Sequence, residues 1–289
     1  MRKVVVTGGS GQLAQAIKYI AQGHNVEVYA PTHAECDITD AESVRRAICG
    51  ADIVVNAAAY TNVDGAERNS EAAYRTNCLG AATVARTAAE CGVTAIHIST
   101  DYVFGKDCKR HTPYEEDADT APINCYGTTK REGEVEALRH NAIVVRTSWL
   151  YSPWGRNFCR TILSLARTES VLRVVDDQRG TPTSALSLAR AIIHIIEGGH
   201  YRSMAGIYHF CDKGEASWYD FAREIVVRSG IATCDVVACS SLEQQREAAR
   251  PRYSCLATER IAHIEGISIT EWQSALDEVL TIITTKDDI

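Results

Sequence analysis

The 289-residue chain is 45% hydrophobic and 23% charged, with a formal net charge of −7 and no long run of one sign. That composition suits a globular protein of one domain with an appended lobe, and it argues against nucleic acid or an anionic membrane as partner. No stretch approaches the roughly 20 apolar residues of a membrane span.

The opening MRKVVVTGGSG holds only three valines before its glycines, too short for the core of a signal peptide. Eleven cysteines lie scattered without a CxxC pair, so reduced thiols in a cytoplasmic protein are expected and no metal site. In chain order, KVVVT reads as a buried strand, QLAQAIKYIAQG as a helix, NVEVYA as a strand, AESVRRAICG as a helix and DIVVNAAA as a strand. A long helix is expected from Ser70 to about Cys91, then the strand VTAIHIST, a helix after Tyr126 and the strand NAIVVRTSWL. Continuous Val and Ile runs separated by helices predict a doubly wound α/β fold, with a parallel sheet covered on both faces. Beyond Trp149 come a helix near Phe158, the strand LRVVDDQ, the loop RGTPTS, the helix LSLARAIIHIIEGG, the strand GIYHFCD and the helix SWYDFAREIVVRSG. An irregular stretch with ARPRYSC and a last helix at TEWQSALDEVLTII complete the pattern.

Gly8, Gly9 and Gly11 fall directly between the first strand and the first helix. Glycine permits a tight turn and close approach of backbone to a pyrophosphate, which the helix N-terminus then meets with unpaired N–H groups. The spacing is Gly8-x-x-Gly11-x-x-Ala14, with alanine at the third place of the dinucleotide fingerprint. The second strand ends VYAPTHAECDIT, with no acid at its tip for a ribose 2′-hydroxyl and no arginine beside it. NADPH is the expected cofactor, with NADH open. Asp37 and Ile38 follow where a side chain can reach the adenosine.

Twelve tyrosines and seven lysines give about 0.3 YxxxK pairs by chance, yet two occur, Tyr102/Lys106 and Tyr126/Lys130. The first lies in STDYVFGK, a poor helix, whereas Tyr126 opens a run of good helix formers that places both side chains on one face. An ammonium beside a phenol lowers its pKa, making a proton donor usable near neutrality. AIHIST ends in Ser99 and Thr100 where parallel strands present ligands. A hydroxyl there stabilises a carbonyl oxygen gaining charge while Tyr126 protonates it. Thr100, Tyr126 and Lys130 therefore point to carbonyl reduction with a nicotinamide hydride.

With GGSGQLA, VVNAAAYTNVDGAE, HISTDYVF, YGTTKREGE, VVRTSWLY, DQRGTPTS and ARPRYSCL added, the chain resembles the extended short-chain dehydrogenase/reductases over nearly its whole length. The resemblance implies a nucleotide-diphosphate deoxysugar as substrate, reduced at a 4-keto group. It implies a discontinuous Rossmann domain, residues 1–149 plus about 171–212, with a substrate lobe of about 150–170 plus 213–289. It assigns Gly11, Gln12 and Leu13 to the pyrophosphate, and Ala59, Tyr60 and Thr61 to the nicotinamide half. Lys130 would also hold the ribose, and Asn77 would brace the site. Thr100, Asp101 and Trp149 would contact the sugar, with Arg250 and Arg252 on the diphosphate. A homodimer is possible on the same ground, but Gln15-Ala16 stands where a metal-dependent dimer needs glutamate. Dehydratases of the same fold carry Thr-Asp-Glu after the strand, and here the triplet is Thr100-Asp101-Tyr102. A non-catalytic regulatory subunit and a reductase of another 4-keto-6-deoxysugar are the rival readings.

Overall fold

The six residues Arg2–Thr7 (β1) hold a buried run of valines, Val4 to Val6, and buried residues of this kind recur in the inner strands of the sheet. The computed structural model describes residues 1–287. β1 lies between Val26–Tyr29 (β2) and Ile53–Asn56 (β3), followed outward by Thr94–Thr100 (β4), Ile143–Thr147 (β5) and the strand Gly206–His209. All five pairings are parallel.

The strands alternate between two apolar layers, as the two-residue side-chain period requires. Val4, Val6, Ile53, Val55, Ile143 and Val145 face one way, toward Gln12–Ile20 (α1) and the helix Ala185–Glu197. Val5, Val54 and Val144 face the other, toward Ala41–Ile48 (α2) and the helices Ala81–Glu90 and Cys125–Leu138. β2 and β3 leave β1 in opposite directions, which opens a crevice at the carboxyl ends of the strands, the usual ligand position in such sheets. The expected doubly wound fold is present.

Two differences from the sequence reading have local causes. The long helix expected from Ser70 is interrupted: Ser70–Tyr74 passes into a π turn, Arg75–Gly80, before Ala81–Glu90. A π turn adds a residue to the helical circuit and turns a side chain out of register. Asn77 occupies that turn, accepts from Tyr60 N–H at 2.8 Å and donates to Thr129 Oγ1 at 3.1 Å. A short helix, Val63–Arg68, precedes it, capped by Asn62 Oδ1 on Gly65 N–H.

The expected strand LRVVDDQ forms as Val171–Val175, but it pairs with Asp235–Cys239 outside the central sheet. Asp235–Cys239 is mostly exposed and carries no apolar alternation strong enough to mark it. The helices Phe158–Ala166, Trp218–Arg228 and Trp272–Asp287 pack around this second unit, while Ala185–Glu197 returns to α1.

Candidate active site

The turn after β1 is shaped by contact. Gly9 donates its N–H to Pro31 O at 2.9 Å, and a Cβ on it would sit 2.1 Å from Ala30 O. Gly11 caps α1 without a side-chain hydrogen bond, and no acidic residue occupies the first turn. The leading N–H groups of α1 therefore remain available to an anion.

This turn forms one wall of a cavity of about 940 Å³. The structure brings Gly8, Gly11, Gln12, Leu13, Asp37, Ile38, Ala59, Tyr60, Thr61, Thr100, Asp101, Tyr126, Lys130 and Trp149 to it. Gln12 Oε1, Ser99 Oγ, Asp101 Oδ2 and Thr147 Oγ1 are buried there without a hydrogen-bond partner. Buried polar atoms of that kind are costly unless something meets them. The glycine turn fits a phosphate, and these four oxygens fit the hydroxyl and amide groups of a polar ligand such as a dinucleotide.

Tyr126 and Lys130 lie on the helix Cys125–Leu138, whose N-terminus is capped by Asn124 Oδ1 on Gly127 N–H at 2.7 Å. The helix approaches so closely that a Cβ on Gly127 would meet Tyr102 O at 2.1 Å, and one on Gly133 would meet Asn77 O at 2.2 Å. These glycines seat the helix against the turn after β4 and against the π turn. Glu134, one turn beyond Lys130, forms a two-pronged pair with Arg146 of β5, both N···O distances 2.8 Å and both residues 2% exposed.

Burial pushes the half-buried Tyr126 phenol up to about 12, with Thr100 hydrogen bonding opposing the shift. This departs from the lowering expected of a neighbouring ammonium. Lys130 Nζ instead donates to Ile98 O at 2.7 Å and faces His97 Nε2 at 3.4 Å, so its hydrogen bonds go to β4. A phenol held high stays protonated at neutral pH, the form a proton donor needs. Burial brings Lys130 itself down to about 8, opposed by the charge of Glu134. Asp101 goes up to about 7, again by burial, and its Oδ1 accepts from Thr100 Oγ1 at 3.2 Å.

Trp149 adopts a left-handed backbone, φ 46°, and stacks on Trp218 with centroids 3.5 Å apart and planes 6° from parallel. Both indoles line the cavity. Trp218 was missed in the sequence, 69 residues from its partner, and only the fold joins them. Arg250 and Arg252 are not brought to the cavity. Arg250 is committed to Asp64 through contacts of 2.8 and 2.7 Å, which hold the Asp64 carboxyl down at about 2, and Arg252 is exposed. Arg250 thereby ties the C-terminal segment to the helix Val63–Arg68, next to the cavity-lining Tyr102. The arginines that do line the cavity, Arg75 and Arg156, carried no local signal.

A parallel sheet with a glycine turn at its crevice and Thr, Tyr and Lys gathered beside it defines a Rossmann-type reductase of the short-chain dehydrogenase/reductase kind. The chain belongs to the family described as the RmlD substrate binding domain, whose model matches residues 1–285. It is 38% identical over 287 residues to the dTDP-4-dehydrorhamnose reductase of Mycolicibacterium smegmatis, covering 98% of this chain and 86% of that one. A crystal structure of a dTDP-4-dehydrorhamnose reductase from Clostridium acetobutylicum superimposes with a TM-score of 0.91 at 37% identity, covering 98% of this chain and 99% of that one. The Bacillus anthracis dTDP-4-dehydrorhamnose reductase, solved in complex with NADP, gives 0.90 at 32% identity with the same coverage.

Proposed function

We propose that the chain reduces the 4-keto group of dTDP-4-dehydro-L-rhamnose with NADPH, giving dTDP-L-rhamnose for polysaccharide synthesis. The observation that carries this is the convergence of Thr100, Tyr126 and Lys130 on the cavity entered by the glycine turn. Gly8, Gly11, Gln12 and Leu13 would hold the pyrophosphate of the cofactor, Asp37 and Ile38 its adenosine side, and Ala59, Tyr60 and Thr61 its nicotinamide side. NADPH bound there supplies the hydride for the carbonyl carbon.

The chain's own residues do the rest. Tyr126, protonated across the neutral range, gives its proton to the carbonyl oxygen. The Thr100 hydroxyl, which now rests on Asp101, turns to donate to the same oxygen as charge develops on it. Lys130, one helical turn along, keeps a positive charge in the same cavity while the phenolate forms. The Trp149–Trp218 wall covers the apolar side of a deoxysugar and keeps water from that face. Arg156, exposed on the cavity lining, is the guanidinium offered to the diphosphate. Tyr102 stands where a dehydratase carries its glutamate, which favours reduction over loss of water. A cytoplasmic location is supported by eleven free cysteines.

The test is the decay of NADPH absorbance with the 4-keto sugar, with dTDP-L-rhamnose identified as product. Tyr126→Phe should lower turnover by about 10²–10⁴ while cofactor affinity stays near the parent value. Cofactor binding without any substrate-dependent decay would point instead to a regulatory subunit, and a Phe variant at the parent rate would remove Tyr126 from the mechanism.

A further inference from the structure

Three neighbouring strands carry polar side chains into a core otherwise built from valine and isoleucine. Thr7 of β1, Asn56 of β3 and His97 of β4 are direct register partners and are 0%, 2% and 3% exposed. They make a continuous row. Thr7 Oγ1 lies 2.7 Å from Asn56 Oδ1, the Asn56 amide nitrogen 3.1 Å from His97 Nδ1, and His97 Nε2 3.4 Å from Lys130 Nζ. At the near end, Ala58 N–H donates to Thr7 Oγ1 at 3.3 Å, one residue from the cavity-lining Ala59. Burying three polar side chains costs free energy unless each is bonded, and this row bonds each to the next.

We propose that His97 is a positioning residue for Lys130: its Nε2 accepts one hydrogen of the ammonium, Ile98 O accepts the second, and the third is left for the cavity. This deepens the reading of Lys130 as a group of the reductase site and rests on it. An ammonium has three donors and no acceptor, so Nε2 must be unprotonated to meet it. The imidazole proton then sits on Nδ1 and must be given to an oxygen. A half-turn of the Asn56 amide presents that oxygen and turns its nitrogen to Thr7 Oγ1. That hydroxyl then accepts from both Asn56 and Ala58 N–H and gives up its own 2.7 Å donor bond to Asn56 Oδ1. The opposite arrangement, with Nε2–H aimed at Nζ, suits only an uncharged lysine. Burial and the adjacent Lys130 charge hold His97 well below the ordinary imidazole range, which keeps it a neutral acceptor.

The experiment is ¹⁵N NMR of the histidine rings of the full-length chain at pH 7, with His97→Gln used to assign the signal. The expected result is a neutral ring protonated on Nδ1. A ring protonated on Nε2, or an imidazolium, would overturn the proposal. In parallel, His97→Leu should lower kcat on the order of 10²-fold by releasing Lys130, with KM for the sugar within about threefold. His97→Gln, which keeps an acceptor at the Nε2 position, should recover most of that loss. Equal loss in both variants would reduce His97 to a packing residue. If the parent chain failed to turn over the sugar, the functional reading would fall, while the ring spectrum would still decide the contact.

Discussion

Replacing Glu134 by Gln removes one charge from a place where charge is hard to replace. The carboxylate meets Arg146 through two bonds of 2.8 Å, and both residues are 2% exposed. Breaking a buried pair from one side costs about 3–5 kcal/mol, because the remaining ion is left in the interior. Some of the guanidinium's other contacts survive: Glu116 O at 3.4 Å, His209 Nε2 at 3.3 Å and the face of Phe104 at 5.1 Å. His209 is suited to accept, since burial holds its pKa down at about 3, with the Arg146 charge adding to the shift. The lower end, about 3 kcal/mol, is therefore expected. With an unfolding entropy near 0.6 kcal/mol/K for a chain of this length, Tm should fall by about 5 °C in scanning calorimetry. The double variant Glu134→Leu/Arg146→Met, which removes both ions, should be more stable than Glu134→Gln alone. A Tm within 1 °C of the parent for the single variant, or a double variant no better than it, would refute the reading of the pair as a buried, mutually compensating tie between the helix Cys125–Leu138 and β5.

Gly9→Ala should weaken NADPH binding at least tenfold, since its Cβ would meet Ala30 O at 2.1 Å and displace the turn; about 1–3 kcal/mol of stability should go with it. A cofactor titration with an unchanged Kd would show that the turn can yield. The kcat/KM of the free enzyme should fall as pH rises through about 8, where Lys130 loses its proton. The stability contribution runs the other way. The folded pKa lies below the ordinary 10.5, so the unfolded chain binds more protons between the two values and stability rises with pH across that window. A rate profile flat to pH 9.5 would contradict the Lys130 assignment. Arg75→Ala should cut the preference for NADPH over NADH roughly tenfold. Asp37 accepts from Thr39 N–H and Oγ1, at 2.9 and 2.8 Å, and Arg75 is the guanidinium that lines that end of the cavity. An unchanged ratio of the two kcat/KM values would sink this.

Much of the site was legible because its signals are local. Gly8 to Gly11 lie at one strand–helix junction, Thr100 at a strand end, and Tyr126 and Lys130 on one helical face. What stayed hidden depends on contacts across the chain. Asp64 and Arg250 stand 186 residues apart and meet only when the C-terminal segment folds back on the helix Val63–Arg68. An arginine that looks free in sequence is thereby paired with a carboxylate. Arg75 reads as one more charge on a helix until the π turn and the second strand bring it beside Asp37. His97 sits inside an apolar strand, where a lone polar residue gives no hint that Asn56 and Lys130 lie on either side of it. The strand Asp235–Cys239 escaped notice because its exposure leaves no apolar alternation.

Two of the four tryptophans, Trp149 and Trp218, form the stacked wall of the cavity. The other two pack elsewhere, Trp154 against Tyr19 and Trp272 against Phe221. The protein thus carries its own optical reporter. A ligand entering the cavity changes the surroundings of one indole pair directly, while Trp272 is buried away from the lining and Trp154 adjoins the lining residues Gly155 and Arg156. Ligand affinities, including those of variants too slow to assay, can be read from intrinsic emission without attaching a label.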